Sequence, residues 1–179
     1  MLSSQQADRA FLDNQTVEFF RLNESKWRSQ RRYYTLKSGT VEEVVSLLET
    51  RFLEPGSEEL IQLAQLHKLE NETALIAGIK VSWESNYTSQ SRKPSTGSTT
   101  FGVLEDKMYR DRGFATTKPI VAKFYLRDPY TMHLRTEYGG SVFEEELKLI
   151  GTEYRTRQTV ISRAGEEQMI GQYLETRIR

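Results

Sequence analysis

Charged residues on otherwise apolar faces are where this sequence offers chemistry. Across residues 144–150 a two-residue period puts Glu145 on one face with Leu147 and Leu149, and Glu144, Glu146 and Lys148 on the other. In the next segment Arg155, Arg157, Thr159 and Ile161 share a face, and a hairpin through Gly151 makes the two segments neighbours. If the leucines point into a core, a carboxylate points there as well, beside two guanidiniums. Charges in an interior are costly unless each is paired. One reading is a self-contained ion-pair cluster, or an arginine row that faces out and is merely solvated. The other is a ligand of matching charge. Two guanidinium forks suit two carboxylates through bidentate hydrogen bonds, and Glu145 would face a cationic or N–H-rich part of the same ligand. Trp83, inward in its own alternating run, is either core packing or a flat wall for a conjugated ligand.

Strands are needed to aim these side chains, and the sequence supplies them. Ala77, Ile79, Val81, Trp83 and Tyr87 oppose Gly78, Lys80, Ser82 and Glu84; Ile120, Ala122, Phe124 and Leu126 oppose Val121, Lys123 and Tyr125. Met132, Leu134 and Tyr138 likewise oppose Thr131, His133, Arg135 and Glu137. Each alternation means one wet and one buried face. Turn pairs at Ser38-Gly39, Pro55-Gly56, Asp128-Pro129, Gly139-Gly140 and Ala164-Gly165 separate the runs. About ten such runs, closely spaced toward the end, predict an all-β, closed antiparallel meander rather than a sandwich. A helix is expected in front, within a leading segment 1–28: Phe19, Phe20, Leu22, Lys26 and Trp27 have helical spacing, and Asn14 or Thr16 can cap its start. Residues 57–69 read as a short second helix through Leu60, Leu63, Ala64 and His67. Val41, Val44, Val45, Leu48 and Phe52 fit a helix stripe by spacing and a strand by residue type. Residues 85–100, rich in Ser, Thr and Lys around Pro94 and Gly97, read as a long mobile hairpin loop at one barrel mouth.

Bulk properties narrow the function classes. The 179 residues, 37% hydrophobic, suit one domain spanning 1–179. Lys+Arg and Asp+Glu both number 25, so the balance of charge favours neither nucleic acid nor a membrane surface as partner. No apolar run approaches a membrane span, and residues 1–9 lack the apolar centre of a signal peptide. A cytoplasmic or plastid-stromal protein is expected, which makes the Asn-x-Thr triplets at Asn14, Asn71 and Asn86 chance matches. Cysteine is absent, so disulfides, thiolate metal sites and covalent capture on an enzyme thiol are excluded. His67 and His133 share no ligand spacing and there is no phosphate-cradling glycine loop, so neither a zinc site nor a catalytic triad is expected.

The ordered motifs resemble a known family. Phe19-Phe20 followed by Trp27-Arg28-Ser29-Gln30-Arg31 is similar to the N-terminal signature of the S/U-type phycobiliprotein (bilin) lyases. Lys80-Val81-Ser82-Trp83, Thr136-Glu137-Tyr138, Glu144-Glu145 leading to Tyr154-Arg155-Thr156-Arg157, and the tail Glu175-Thr176-Arg177-Ile178-Arg179 follow in the family's order. The resemblance runs from about Val17 to the end. It implies a ten-stranded up-and-down barrel of the lipocalin or fatty-acid-binding type, which favours a strand over 41–52. It further implies non-covalent binding of a linear tetrapyrrole, phycocyanobilin or phycoerythrobilin, and its thioether attachment to a cysteine of an apo-phycobiliprotein α or β subunit. Carried over residue by residue, Arg155 and Arg157 would bind propionates, Glu145 would sit against the pyrrole nitrogens, and Trp83 would lie beside the ring system. Glu175 matches a second family carboxylate with a catalytic role, and Arg31 falls in the signature at the barrel rim. Whether such a protein works as a homodimer or as a heterodimer with a related lyase is left open by the sequence. Where the family has two histidines after Ser-Gln-Arg, this chain has Arg32, Tyr33 and Tyr34, and Lys26 replaces a glycine before the Trp. Those departures bear on bilin preference and target subunit. Set beside the lyase reading are a passive lipocalin-like carrier of an amphiphile and an interaction module whose cavity is filled by side chains.

Overall fold

A computed structural model describes residues 3–87, 93–114 and 116–179. Helix α1 (Ser4–Asn23) leads into β1 (Ser25–Thr35) and β2 (Thr40–Leu53), and α2 (Glu58–Leu66) follows. Eight strands come next: β3 (Ala77–Tyr87), β4 (Ser95–Leu104), β5 (Lys107–Arg110), β6 (Ile120–Asp128), β7 (Thr131–Tyr138), β8 (Ser141–Ile150), β9 (Tyr154–Arg163) and β10 (Glu166–Ile178). Each strand pairs antiparallel with its neighbour in sequence, and β1 pairs with β10 to close a ten-stranded barrel. Closure leaves no unpaired edge, which is how an antiparallel meander satisfies its outer N–H and C=O groups. The segment with two possible periods, 41–52, is strand: it lies within β2, and β1 and β3 pair with its two edges in the ladder.

The first helix differs from its expected bounds. It starts at Ser4, not near Asn14, because Ser3 and Gln6 form a capping box: Gln6 N donates to Ser3 Oγ and Ser3 N donates to Gln6 Oε1. Thr16 is mid-helix, its hydroxyl donating to the Leu12 carbonyl. The helix stops at Asn23, so Lys26 and Trp27 belong to β1 and the leading segment is shorter than 1–28. Trp27 follows Asn23 by four residues and so imitates a helical stripe, but its indole Nε1 donates to the Asn23 carbonyl and to Thr50 Oγ1 across a strand–helix corner. In β1 the inward positions are Trp27, Ser29, Arg31 and Tyr33, two apart, as a strand requires.

Both ends of the 85–100 segment are strand rather than loop. β3 continues to Tyr87 and β4 begins at Ser95, with Trp83 opposite Gly97 and Ser85 opposite Ser95. Residues 88–92 of the expected loop lie outside the described residues. A Cβ on Gly97 would stand 2.5 Å from Trp83 Cζ2, so the missing side chain is what lets the indole lie across β4.

Two apolar clusters hold the fold. One fills the lower barrel, where Phe19 and Phe20 from the last turn of α1 pack with Trp27, Leu48, Val103, Phe124, Met132 and Leu149 and close that end. The other lies outside the wall, where Leu60, Leu63 and Ala64 of α2 cover Leu53, Leu75 and Tyr109. Burial of such side chains stabilises by about 1.5–3 kcal/mol each. Among the described residues no helix is long and apolar enough to cross a membrane.

Candidate functional site

Above the Phe19–Phe20 floor the barrel encloses a cavity of about 340 Å³. Its upper wall carries Trp83, Tyr87 and Ser95, from the ends of β3 and β4 nearest their connection. A larger groove, about 570 Å³, runs over the outside of β1, β2, β9 and β10, but its Arg32 and Glu43 are exposed and paired with each other at 2.7 Å. The inward charges are in the barrel.

Strand register stacks those charges in two levels. In the lower one, Ser29, Glu175, Arg155 and Leu149 lie side by side across β1, β10, β9 and β8. Arg155 Nε donates to Glu175 Oε2, its NH1 donates to Asn23 Oδ1 at 3.0 Å, and its guanidinium lies 4.3 Å from the Trp27 ring centroid. Glu175 therefore faces inward, the direction that alternation in its own strand left open. It is completely buried and sits behind Arg155, which lines the cavity while Glu175 does not. Burial alone would raise the Glu175 pKa, but Arg155, Arg157 and the Ser29 hydroxyl together hold it below the usual carboxylate value. Arg155 moves the other way: desolvation pushes its pKa down and Glu175 offsets only part of that. With both charges withdrawn from water, the cost of desolvation offsets much of their attraction, so the contact fixes geometry more than it adds stability.

One level up, Arg31, Tyr173, Arg157 and Leu147 are aligned. Arg157 donates twice to Glu145 Oε2, from NH2 at 2.6 Å and from Nε at 3.0 Å. Desolvation works against the Arg157 charge, but Glu145, and after it Tyr173 and Glu175, raise its pKa on balance. The Arg157 side chain keeps 30% of its surface exposed against 5% for Arg155, so the upper pair is the one a ligand can reach. Burial raises the Tyr173 pKa, so its hydroxyl is protonated at neutral pH, and Arg31 and Arg157 stand 5.3 and 5.8 Å from its ring. Arg31 is thus well inside the barrel, level with Arg157, rather than at the rim; its Nε donates to Ser29 Oγ at 3.1 Å. Trp83 faces the cavity from β3.

The fold brings Glu145, Arg155, Arg157, Arg31 and Trp83 to one cavity wall or another and puts Glu175 directly behind it. The alternation readings of β3, β6, β7, β8 and β9 all agree with this placement. Both readings of these charges hold together: the two arginines are inward, and each is already paired with a carboxylate. Missed in the sequence were Arg110 and Arg112, which line the cavity from β5 and just beyond it. Met108 and Arg110 alternate with Tyr109, but a four-residue strand gives too short a period to read.

A family model described as CpeS-like protein matches residues 15–178. The chain belongs to the CpeS-like family. A provisionally named phycocyanobilin lyase, CpcS 2, of Nostoc sp. strain PCC 7120 is 56% identical over 166 residues, covering 93% of this chain and 92% of that protein. A provisionally named chromophore lyase, CpcV, of Picosynechococcus sp. strain PCC 7002 is 52% identical over 164 residues, covering 91% and 81%. The S-type phycobiliprotein lyase CPES of Guillardia theta has the same fold, with a TM-score of 0.74 at 21% identity over 94% of this chain and 97% of that one. CpeS-like membership agrees with the resemblance carried by the motifs, and the barrel agrees with the fold it implied.

Proposed function

We propose that this CpeS-like chain is a bilin lyase: it binds a linear tetrapyrrole without a covalent bond and presents it to a cysteine of an apo-phycobiliprotein subunit. The observation that carries the reading is the Arg157–Glu145 pair facing the cavity within reach of a ligand. A bilin offers both counterparts of that pair. A propionate replaces Glu145 on the Arg157 fork, and the pyrrole N–H groups, or a protonated pyrrole, take the released carboxylate. Each charge exchanges one partner for another, so the rearrangement leaves no buried charge bare. Trp83, seated over Gly97, gives the conjugated system a flat wall.

The chemistry is addition. The acceptor's thiol sulfur bonds to the exocyclic carbon of ring A, the double bond is consumed, its proton ends on the bilin, and nothing leaves. No bond of the lyase changes, which fits a chain without cysteine. Its residues hold the bilin in one extended conformation; orientation of this kind supplies several kcal/mol of barrier reduction. Glu145 favours a cationic pyrrole and so a more electrophilic ring A. Glu175 acts through Arg155, holding that guanidinium against Asn23 and Trp27 at the base of the site. The substrate is phycocyanobilin or phycoerythrobilin, the partner an α or β subunit, and the compartment the cyanobacterial cytoplasm or plastid stroma.

The deciding experiment mixes the protein, phycocyanobilin and apo-phycobiliprotein α or β subunits. Faster formation of a covalent adduct with the native absorbance is expected. Pigment bound by the chain but never transferred faster than in its absence would reduce it to a carrier.

A further inference from the structure

The cavity holds more positive charge than its own carboxylates neutralise. Among the described residues, five arginines line it (Arg31, Arg110, Arg112, Arg155 and Arg157) against a single acidic side chain, Glu145, with Glu175 behind. Arg155 and Arg157 are taken by those two carboxylates. Arg112 is exposed and 6.0 Å from the Trp83 ring. Arg110 is different: it is half-buried, faces inward from β5, and among the described residues its side-chain hydrogen bond goes to a hydroxyl, Thr99, with no carboxylate in an ion pair with it.

Its setting is built. The Thr99 hydroxyl donates to Asp111 Oδ1 at 2.6 Å, and Asp111 Oδ1 also accepts from the Thr100 amide at 3.1 Å. With its hydrogen committed, Thr99 Oγ1 can only accept from Arg110, whose Nε reaches it at 3.2 Å. The guanidinium stands 4.8 Å from the Phe101 ring, and His67 Nε2 lies 2.9 Å from the Arg110 carbonyl oxygen. One edge and one side of the group are thereby fixed, and no protein acceptor meets the NH1–NH2 fork among the described residues. Loss of hydration lowers the Arg110 pKa, and the fields of Glu145 and Arg157 both reach it. Arg110 is a cation partly withdrawn from water, aimed at the same chamber as the Arg157–Glu145 pair and four strands away round the barrel.

We propose that the Arg110 fork, aimed by Thr99 and Phe101, is the seat of one ligand carboxylate, so that a dicarboxylate ligand is held by Arg110 and Arg157 together. This rests on the bilin reading and assigns one of the two propionates to the β4–β5 wall. Arg155, paired with Glu175 and bonded to Asn23, then serves as a fixed support rather than as a fork for the ligand.

The test is an absorbance titration of phycocyanobilin and its dimethyl ester against the parent, Arg110→Met and Arg110→Lys. The parent is expected to prefer the diacid. Arg110→Met should weaken diacid binding roughly ten- to a hundredfold and change ester binding by less than about threefold, the range expected for a charge-assisted contact. Arg110→Lys, which keeps the charge but not the fork, should fall between. Equal losses for acid and ester, or no loss for either, would overturn the assignment, as would a parent that binds both forms alike. If Arg110→Met does not fold, Arg110→Lys decides: an acid-to-ester preference equal to the parent's rules the seat out. A parent that binds neither form refutes the bilin reading itself, and this inference with it.

Discussion

Glu145 and Glu144 are adjacent and chemically identical, yet the pleat gives them opposite surroundings. Glu145 bonds Arg157 at the cavity wall, and Glu144 bonds Arg135 at 2.8 Å on the outer surface. Glu145→Gln keeps the size and an acceptor but removes the charge, so a bound bilin loses its counterion. Residual binding is expected, with a weakened or blue-shifted long-wavelength band and a larger fall in transfer rate than in affinity. Glu144→Gln should match the parent, since an exposed pair contributes about 0–1 kcal/mol. Absorbance spectra and transfer rates of the two variants check this; identical behaviour would remove Glu145 from the mechanism. Both faces of this comparison were legible in the sequence, because Leu147 and Leu149 mark the inward side. The partner of Glu145 was not: Leu147, not Glu145, is the register neighbour of Arg157, and the bond is diagonal.

Among the elements, β3 and β4 show how a missing side chain shapes a site. Trp83 lies across its partner Gly97, and an added Cβ would stand 2.5, 2.9 and 3.1 Å from three indole carbons. The ring is stiff and must move. Gly97→Ala should therefore leave the barrel folded, with an overpacking penalty of about 1–3 kcal/mol, while shifting the Trp83 fluorescence and weakening bilin binding. Emission unchanged from the parent would mean that the indole does not rest on Gly97. In the sequence, Gly97 among serines and threonines signalled a loop. The ladder continues through it because β3 presents the alternating partner strand, and pairing across strands outweighs local turn preference. At the other end, the α1–β1 corner misled the reading of Trp27, since it falls seven and eight residues after Phe20 and Phe19, a helical spacing that arises by coincidence on a strand that follows directly.

At the scale of the whole molecule, the lower ion pair links α1, β1, β9 and β10 through Asn23, Ser29, Arg155 and Glu175. Because the folded Glu175 pKa lies below its unfolded value, its contribution to stability is fully present above about pH 4.3 and is lost as pH falls through the lowered folded value. Glu175→Gln leaves Arg155 buried without a counterion, which costs about 3–5 kcal/mol at neutral pH. The stability difference between parent and Glu175→Gln should be largest near pH 7 and should shrink as the parent is acidified below pH ~4. Urea denaturation across that range measures it; a difference constant with pH would show that Glu175 is not ionised in the folded state.

The sequence by itself determined the barrel, its short second helix and the inward set of Glu145, Arg155, Arg157 and Trp83, because a two-residue period ties each side chain to a face wherever apolar neighbours mark the core. It could not orient Glu175, whose strand lacks that clear alternation, nor raise Arg110 from a strand only four residues long. Pairing was decided by the closed sheet alone. Which carboxylate meets which guanidinium depends on register between strands and on α1 delivering Asn23 to Arg155 from 132 positions away. Such contacts are set by how the strands stagger as the barrel closes, and no local pattern of residues encodes that stagger.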